Sequence, residues 1–151
     1  MINLEQLEVL LTSRESEHFE CKEAKNRYDF EKLVEYCVAL ANEGGGKMVL
    51  GVTDHVPHKV VGSQAFPNPE STAAAIGDRI HLKIVGYELQ HANGRVVLFE
   101  VPSRPKGLPI PDKGRYLMRS GNTLAPMGPD RLKQILDELS WISARKCVPE
   151  L

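Results

Sequence analysis

One run of residues, from Ala39 to Asp54, restricts the fold of this chain more than any other segment. It contains the end of an apolar helix, three consecutive glycines at 44–46, a short apolar strand and an acidic residue. Glycine supplies the left-handed backbone that ends many helices, and it lets a chain approach a sheet closely. The run therefore predicts a helix that turns sharply into a buried strand, 48–52, with Asp54 at the end of that strand.

The pair Gly46-Lys47 has a superficial likeness to the lysine end of a phosphate-binding loop. Such a loop follows a strand and opens a helix, so that the amides of the helix N-terminus face the phosphate. Here a helix precedes the glycines and a strand follows them, and Met48 stands where a serine or threonine would hold the metal ion. The order of the elements argues against a nucleotide site of this type.

Apolar residues at helical spacing predict four helices. Asn3, Asp29 and Asn68 are the expected N-caps of the first three. The helices are expected at about 3–13, from 30 to 41, from 69 to about 81, and at about 129–145. Pro69 and Pro129 each suit the first turn of a helix, because proline has no backbone N–H to lose there.

The strands are predicted at 19–22, 84–90, 96–101 and 116–119, in addition to the one after the glycines. Asn93-Gly94 is the strongest short hairpin signal in the chain, and the segment 116–119 is expected to resume the main sheet. A chain of 151 residues that is 42% apolar can bury the core of one compact domain. The prediction is a single α+β domain over 1–151, with a mixed sheet, a central β-hairpin and flanking helices.

The cysteines and histidines show no metal-ligand spacing. Cys21, Cys37 and Cys147 neither pair in a zinc pattern nor form an even set, and the five histidines are expected to have surface or packing roles. Free cysteines are typical of a reducing compartment, and the segment 1–11 contains too many polar residues for a signal peptide or a membrane span. We therefore expect a cytoplasmic protein without a membrane partner.

Charge does not support polyanion binding by the chain as a whole. Nineteen basic and twenty acidic residues give a formal net charge of −1. Local basic clusters remain around Lys22, Lys25 and Arg27, and around Arg115 and Arg119. Such clusters are often ordinary solvated surface, and Arg119 has the alternative of a buried structural ion pair.

Three acids are candidates for chemistry. Glu15 and Glu20 flank the passage from a loop into a strand, and Lys22 shares a strand face with Glu20. With Asp54 at the end of a neighbouring strand, these residues would converge at one end of the sheet. Carboxylates are preferred ligands of Mg²⁺ and Mn²⁺, and such ions assist phosphodiester cleavage by orienting water and stabilising charge on the phosphate. Spacing alone leaves open that each acid is an ordinary surface or turn residue.

Taken together and in order, the motifs resemble the Schlafen-type AlbA-like domain. Bacterial proteins called divergent AAA-type proteins or transcriptional regulators often carry this domain at their N-terminus. The similar elements are Glu15-Ser16 followed by Glu20-Cys21-Lys22, the helix that ends at Ala41-Asn42 and the glycines, and the Gly-Val-x-Asp segment that ends at Asp54. Val61-Gly62 and the segment 116–122 are similar as well, so the resemblance covers most of the chain.

The resemblance implies nucleic-acid binding. In the vertebrate Schlafen branch it implies an endoribonuclease of structured RNA such as tRNA, whose active-site acids match Glu15, Glu20 and Asp54 here. Cys21 stands where an aromatic residue is usual. The vertebrate nuclease core has two such lobes, so a comparable cleft here would require a homodimer. Many bacterial relatives carry further C-terminal regions, so the chain is either a stand-alone protein or part of a longer one.

Three hypotheses follow. The first is a nucleic-acid-binding domain that acts as a Mg²⁺- or Mn²⁺-dependent RNase, with Glu15, Glu20 and Asp54 as metal ligands and Lys22 near the scissile phosphate. The second is a non-catalytic DNA-binding or transcription-regulatory module, and the third is an assembly or nucleotide-sensing module. In the first two, the residues expected to hold nucleic acid are Lys22, Lys25, Arg27, Arg115 and Arg119.

Overall fold

The structure is a computed structural model that describes residues 1–16 and 18–147. Its helices are α1 (Leu4–Leu11), α2 (Phe30–Asn42), α3 (Pro69–Ile80) and α4 (Pro129–Cys147). Its strands are β1 (Phe19–Lys22), β2 (Gly46–Leu50), β3 (Val85–His91), β4 (Gly94–Val101), β5 (Leu117–Ser120) and β6 (Thr123–Pro126). None of the helices in the described part is both long and apolar enough to cross a membrane.

Four strands form a mixed sheet in the order β1-β2-β4-β3. β1 and β2 are parallel, whereas β2 with β4 and β3 with β4 are antiparallel. The predicted hairpin at Asn93-Gly94 is confirmed as the β3–β4 connection, and the α+β class is confirmed with it. Because β1 lies at the edge of the sheet and runs parallel to β2, the carboxyl ends of these two strands lie side by side.

The segment 116–119 does not resume the main sheet, as the sequence led us to expect. Within the described residues, β5 pairs only with β6, in a separate two-stranded sheet. The physical reason is α2, which contacts the main sheet through β2 and β4 and contacts the β5–β6 hairpin as well. Almost every residue of α2 from Leu33 to Asn42 is buried, as expected for a helix that is covered on both sides.

The main sheet carries a core on each face. One core contains α2 and α3 packed against residues such as Met48, Leu50 and Phe99. The other contains Leu7 and Leu11 of α1, which pack against the opposite face of β1, β2 and β4. Successive residues of β1 therefore point into different cores, because side chains alternate along a strand.

The glycine turn forms as predicted, but the following strand begins and ends two residues earlier than the predicted segment 48–52. Gly45 has φ +95 and donates its backbone N–H to Leu40 O at 2.8 Å, which ends α2. A Cβ at Gly45 would lie 2.8 Å from the carbonyl oxygen of Val101, so a side chain does not fit there. β2 ends at Leu50, since the next residue, Gly51, has φ +98 and turns the chain. Asp54 consequently lies in the turn beyond the strand, and not at its last residue.

A buried asparagine ties the end of α2 to the β5 hairpin. Asn42 Nδ2 donates to the carbonyl oxygens of Ile110 at 3.0 Å and Leu117 at 2.8 Å. Its Oδ1 accepts a hydrogen bond from the backbone N–H of Ile110 at 2.8 Å. Buried polar groups are stable only when they are paired, and Asn42 meets that condition with three backbone partners.

Candidate functional site

Glu20 lies at the centre of the candidate site and is 1% exposed. Its Oε2 is 2.6 Å from Arg119 Nη2, which comes from β5, and its Oε1 is 3.2 Å from Lys22 Nζ. Tyr36 of α2 lies against both cations, with Lys22 Nζ 5.3 Å and Arg119 Cζ 5.7 Å from the ring centroid. One buried carboxylate is thus held by two cations and an aromatic face.

Arg119 is 2% exposed and forms the buried structural pair that the sequence left as an alternative. Its Nε and Nη1 are also buried and have no hydrogen-bond partner among the described residues. A side chain without exposed surface cannot reach a phosphate in this conformation. Arg119 therefore joins β5 to β1, and the arrangement does not favour its predicted role in nucleic-acid contact.

Glu15 is half-buried at the edge of β1, where its Oε1 accepts a hydrogen bond from the backbone N–H of Cys21 at 3.3 Å. Burial raises the pKa of Glu15 to about 7, and the charge of Glu20 and a hydrogen bond with it act in the same direction. The charge of Asp54 raises this pKa further, whereas the amide of Cys21 lowers it. Glu15, Glu20 and Asp54 therefore lie close enough for their charges to interact.

Asp54 is exposed in the turn after β2, at the outer side of this cluster. Tyr28 lies nearby, since burial, Tyr36, Glu20 and Asp54 all raise the pKa of its phenol. From the sequence, neither Tyr28 nor Tyr36 was predicted to have a role at this site. No spacing rule connects Tyr36 with Glu20, because their proximity depends on how α2 lies across the sheet.

The basic residues differ in how far their charge is already neutralised. Arg115 pairs with Glu35 at 3.1 Å, and both side chains remain partly exposed. Lys25 and Arg27 are exposed in the loop between β1 and α2, and neither forms an ion pair with any residue in the described part of the chain. Arg27 lines a surface cavity of about 500 Å³, and Lys25 lines an adjacent one of about 390 Å³. The loop that carries this unpaired positive charge therefore directly follows β1, the strand that contains Glu20 and Lys22.

The oxygen atoms of this cluster suit a hard divalent cation. A cation would offset the repulsion that raises the pKa of Glu15, so the charge of the site fits such an ion. Both oxygens of Glu20 already face cationic side chains, which leaves Glu15 and Asp54 as the acids with available oxygens. The three acids that the sequence predicted as metal ligands thus lie together, but they are not equally free to bind an ion.

Breaking the buried pair should destabilise the protein strongly. We expect Arg119→Leu to lower the free energy of unfolding by about 3 to 5 kcal/mol, because Glu20 would remain buried with only Lys22 as a partner. The measurement is denaturant unfolding. Arg115→Leu, which removes an exposed pair with Glu35, should cost at most about 1 kcal/mol. Equal losses in the two variants would show that the Glu20–Arg119 pair is not structural.

Glu15 should make stability fall as the pH rises. Its pKa in the folded state is about 7, above the ordinary value of 4.5, so between these values the folded protein holds more protons than the unfolded one. Glu15→Gln removes this dependence. We expect the variant to be more stable than the wild type by about 1 to 2 kcal/mol at pH 8, after solvent screening, and nearly equal to it at pH 4.

Denaturant titrations at several pH values test this expectation. Glu23→Gln changes an exposed acid on the chain segment that follows β1 and serves as the control. A gain in stability for Glu15→Gln that is the same at both ends of the pH range would contradict the raised pKa.

The fold is similar to those of two solved structures. The crystal structure of the DIP2311 protein from Corynebacterium diphtheriae matches with a TM-score of 0.64 at 18% identity, over 89% of this chain and 32% of that protein. The chain thus spans about a third of its length. The solution structure of the N-terminal domain of a RecG-related DNA helicase protein from Nitrosomonas europaea matches with a TM-score of 0.53 at 18% identity, over 85% of this chain and 94% of that domain. At these identities the likeness concerns the fold alone.

A comparison with curated proteins finds no match. The profile of the family described as Schlafen, AlbA_2 matches residues 15–128, which is most of the chain. The match begins at Glu15 and ends just before α4, so it includes β1, the glycine turn, the Asp54 turn and both sheets. This protein therefore belongs to the Schlafen AlbA_2 family.

Proposed function

We propose that this domain binds nucleic acid and cleaves structured RNA with the help of a divalent metal ion. The observation that most supports this function is the grouping of Glu15, Glu20 and Asp54 beside Lys22 at the carboxyl ends of β1 and β2. Family membership supports a role on nucleic acid, and the resemblance to the vertebrate Schlafen branch implies an endoribonuclease whose acids match Glu15, Glu20 and Asp54.

The proposed nucleic-acid contacts come from the loop that follows β1. Lys25 and Arg27 are exposed and carry charge that no described acid neutralises, which is the condition for attracting phosphates. Lys22 is 28% exposed and lies between this loop and the acids. Arg115 would join the interface only by exchanging its contact with Glu35 for a phosphate. The RecG-related protein from N. europaea, whose fold is similar, is named for a DNA helicase, which agrees with a role on nucleic acid.

The proposed metal ion is Mg²⁺ or Mn²⁺, held by the available oxygens of Glu15 and Asp54, with Glu20 as the third acid beside it. When bound, such an ion orients a water molecule and stabilises the charge that develops on the phosphate. Lys22 would hold the phosphate near the acids, and the ion pair with Glu20 keeps its ammonium group at that place. Tyr36 packs against Lys22 and Arg119, the two cations that contact Glu20.

A non-catalytic module is the second candidate, and one observation favours it. Both oxygens of Glu20 are paired, with Arg119 and Lys22, so Glu20 acts structurally in this arrangement. The same basic loop would then bind DNA or RNA in a regulatory role.

In either case a two-lobed cleft like that of the vertebrate nucleases would require a second copy of the domain, and we propose a homodimer for that purpose.

The proposal requires that nucleic-acid binding depends on Lys25 and Arg27 in the loop after β1. We expect the double variant Lys25→Ala/Arg27→Ala to bind tRNA and duplex DNA more weakly, with a slope of log affinity against log salt that is smaller by about 1 to 2. The control is Lys83→Ala/Lys133→Ala, which removes the same charge outside the proposed interface, from the segment before β3 and from α4. Equal weakening in both double variants would exclude a specific role for the loop.

Cleavage tests the catalytic part of the proposal. Purified protein is incubated with tRNA, single-stranded RNA and duplex DNA, with Mn²⁺ or with chelator. We expect cleavage of tRNA that requires the metal and falls by at least about 100-fold in Asp54→Ala, since removal of a metal-assisted step costs several kcal/mol. Asp78→Ala, an exposed acid on α3, should keep full activity.

The outcomes separate the hypotheses. Intact substrates that still shift in a binding assay would favour the non-catalytic module. Neither cleavage nor binding would exclude both candidates and leave an assembly or nucleotide-sensing role. Cleavage that survives in Asp54→Ala and in chelator would point to a contaminating nuclease.

A further inference from the structure

Cys21 and His58 meet Glu15 on the other side of β1. Cys21 is fully buried and His58 is 6% exposed. One oxygen of Glu15, the sulfur of Cys21 and a ring nitrogen of His58 all lie within 4.8 Å of one another. No sequence pattern predicts this group, because Cys21 and His58 are far apart in the chain and come together only through the turn after β2.

His58 has an acceptor that nothing in the described structure satisfies. Its Nδ1 lies 2.7 Å from the carbonyl oxygen of Thr53, so Nδ1 carries the hydrogen and donates it. This tautomer leaves a lone pair on Nε2, which is buried and has no hydrogen-bond partner among the described residues. Phe19 packs edge-on against the ring at 5.8 Å between centroids and helps to fix its orientation. A histidine held through one nitrogen by a backbone carbonyl, with the other nitrogen free, is arranged as metal-binding histidines are.

We propose that Glu15, Cys21 and His58 bind a transition-metal ion of the Zn²⁺ class, with a remaining coordination position open to water. Thiolate sulfur, imidazole nitrogen and carboxylate oxygen are the ligands that zinc uses in proteins. Bond lengths of about 2.0 to 2.3 Å place the ligand atoms of a tetrahedral site roughly 3.3 to 3.8 Å apart. The separations here are at most 4.8 Å, so an approach of about 1 Å by the side chains closes the site.

The surroundings of the group favour a cation. Besides burial, the charges of Glu15, Glu20 and Asp54 raise the pKa of the Cys21 thiol, and only Lys22 opposes them. A divalent ion reverses this local charge balance, so that the thiol loses its proton on binding. The group is also near the surface, since Glu15 is half-exposed and His58 lines a cavity of about 330 Å³. An ion therefore has only a short path to the ligands.

This site differs from the proposed nuclease site in the class of ion that it selects. Sulfur and imidazole ligands favour zinc-like ions, whereas Mg²⁺ and Mn²⁺ prefer oxygen. Glu15 belongs to both proposed sites, but Cys21 and His58 have no role in the proposed cleavage, so variants of these two residues test the inference separately from that function.

Cobalt titration of the whole chain tests the site. The protein is stripped with chelator, and the Co²⁺ complex is followed by its visible and near-ultraviolet absorption. We expect saturation at an equimolar amount of Co²⁺, a thiolate-to-cobalt charge-transfer band, visible bands of tetrahedral intensity, and displacement of both by Zn²⁺. Cys21→Ser should abolish the charge-transfer band. His58→Gln should weaken Co²⁺ binding by at least about 10- to 100-fold.

Matched variants identify the sulfur that binds. Cys37→Ala removes another fully buried thiol, from α2, and should leave the spectrum unchanged. Cys147→Ser and the exposed His55→Gln should do so as well. Circular dichroism establishes that each variant is folded. If Cys21→Ser fails to fold, the spectrum of the wild type and the affinity of His58→Gln decide the question. A folded wild type that gives no charge-transfer band, or a band that survives in Cys21→Ser, overturns the proposal.

Discussion

The buried ion pair between Glu20 and Arg119 connects the two sheets of this domain. It joins β1 to β5 across α2, between residues that are 99 positions apart. Removing two charges from water costs several kcal/mol per ion, and the cost is offset only when the geometry is good and further partners are present. Lys22 and Tyr36 supply those partners, and Asn42 holds Leu117 of the same hairpin and Ile110 of the preceding loop through three hydrogen bonds to backbone groups. The position of β1, and with it the candidate site, depends on this group of polar contacts.

Glu20 is an acid held inside the protein, and it changes the pKa of ionisable groups around it. Burial raises the pKa of Glu15 at the edge of β1 and the pKa of the Cys21 thiol, and the charge of Glu20 acts in the same direction on both. Side chains alternate along a strand, so Glu20 and Cys21 point to opposite faces of β1. Glu15 lies at the edge between them, near Glu20 on one side and near Cys21 and His58 on the other. One carboxylate therefore belongs to two different candidate ligand sets.

Local signals were sufficient for most of the fold. Helical spacing predicted α2, the glycines predicted the turn into β2, and Asn93-Gly94 predicted the β3–β4 hairpin. The strand at 116–119 was predicted correctly, but its assignment to the main sheet was wrong. Local residues predict a strand, whereas its pairing partner depends on the position of α2. The grouping of the acids could be predicted, because neighbouring strands bring them to one end of the sheet. The roles of Tyr36 and His58 could not be predicted, because they depend on tertiary packing and on a turn without a regular pattern.

The two proposed ligand sets share Glu15, so they would compete for it, and this would constrain the function of the site. An ion of the zinc class on Cys21 and His58 would occupy Glu15 and leave only Asp54 and Glu20 for a hard cation. Glu20 is already paired with Arg119 and Lys22, so Asp54 alone would then offer free oxygens. Hard divalent ions in catalytic sites are usually held by one or two carboxylates together with the phosphates of the substrate. With the zinc-class site filled, a hard cation would therefore bind tightly only with the nucleic acid in place, whereas with that site empty Glu15 and Asp54 could bind it beforehand. Metal affinity measured with and without RNA, before and after loading with Zn²⁺, thus links the two sites through the carboxylate that they share.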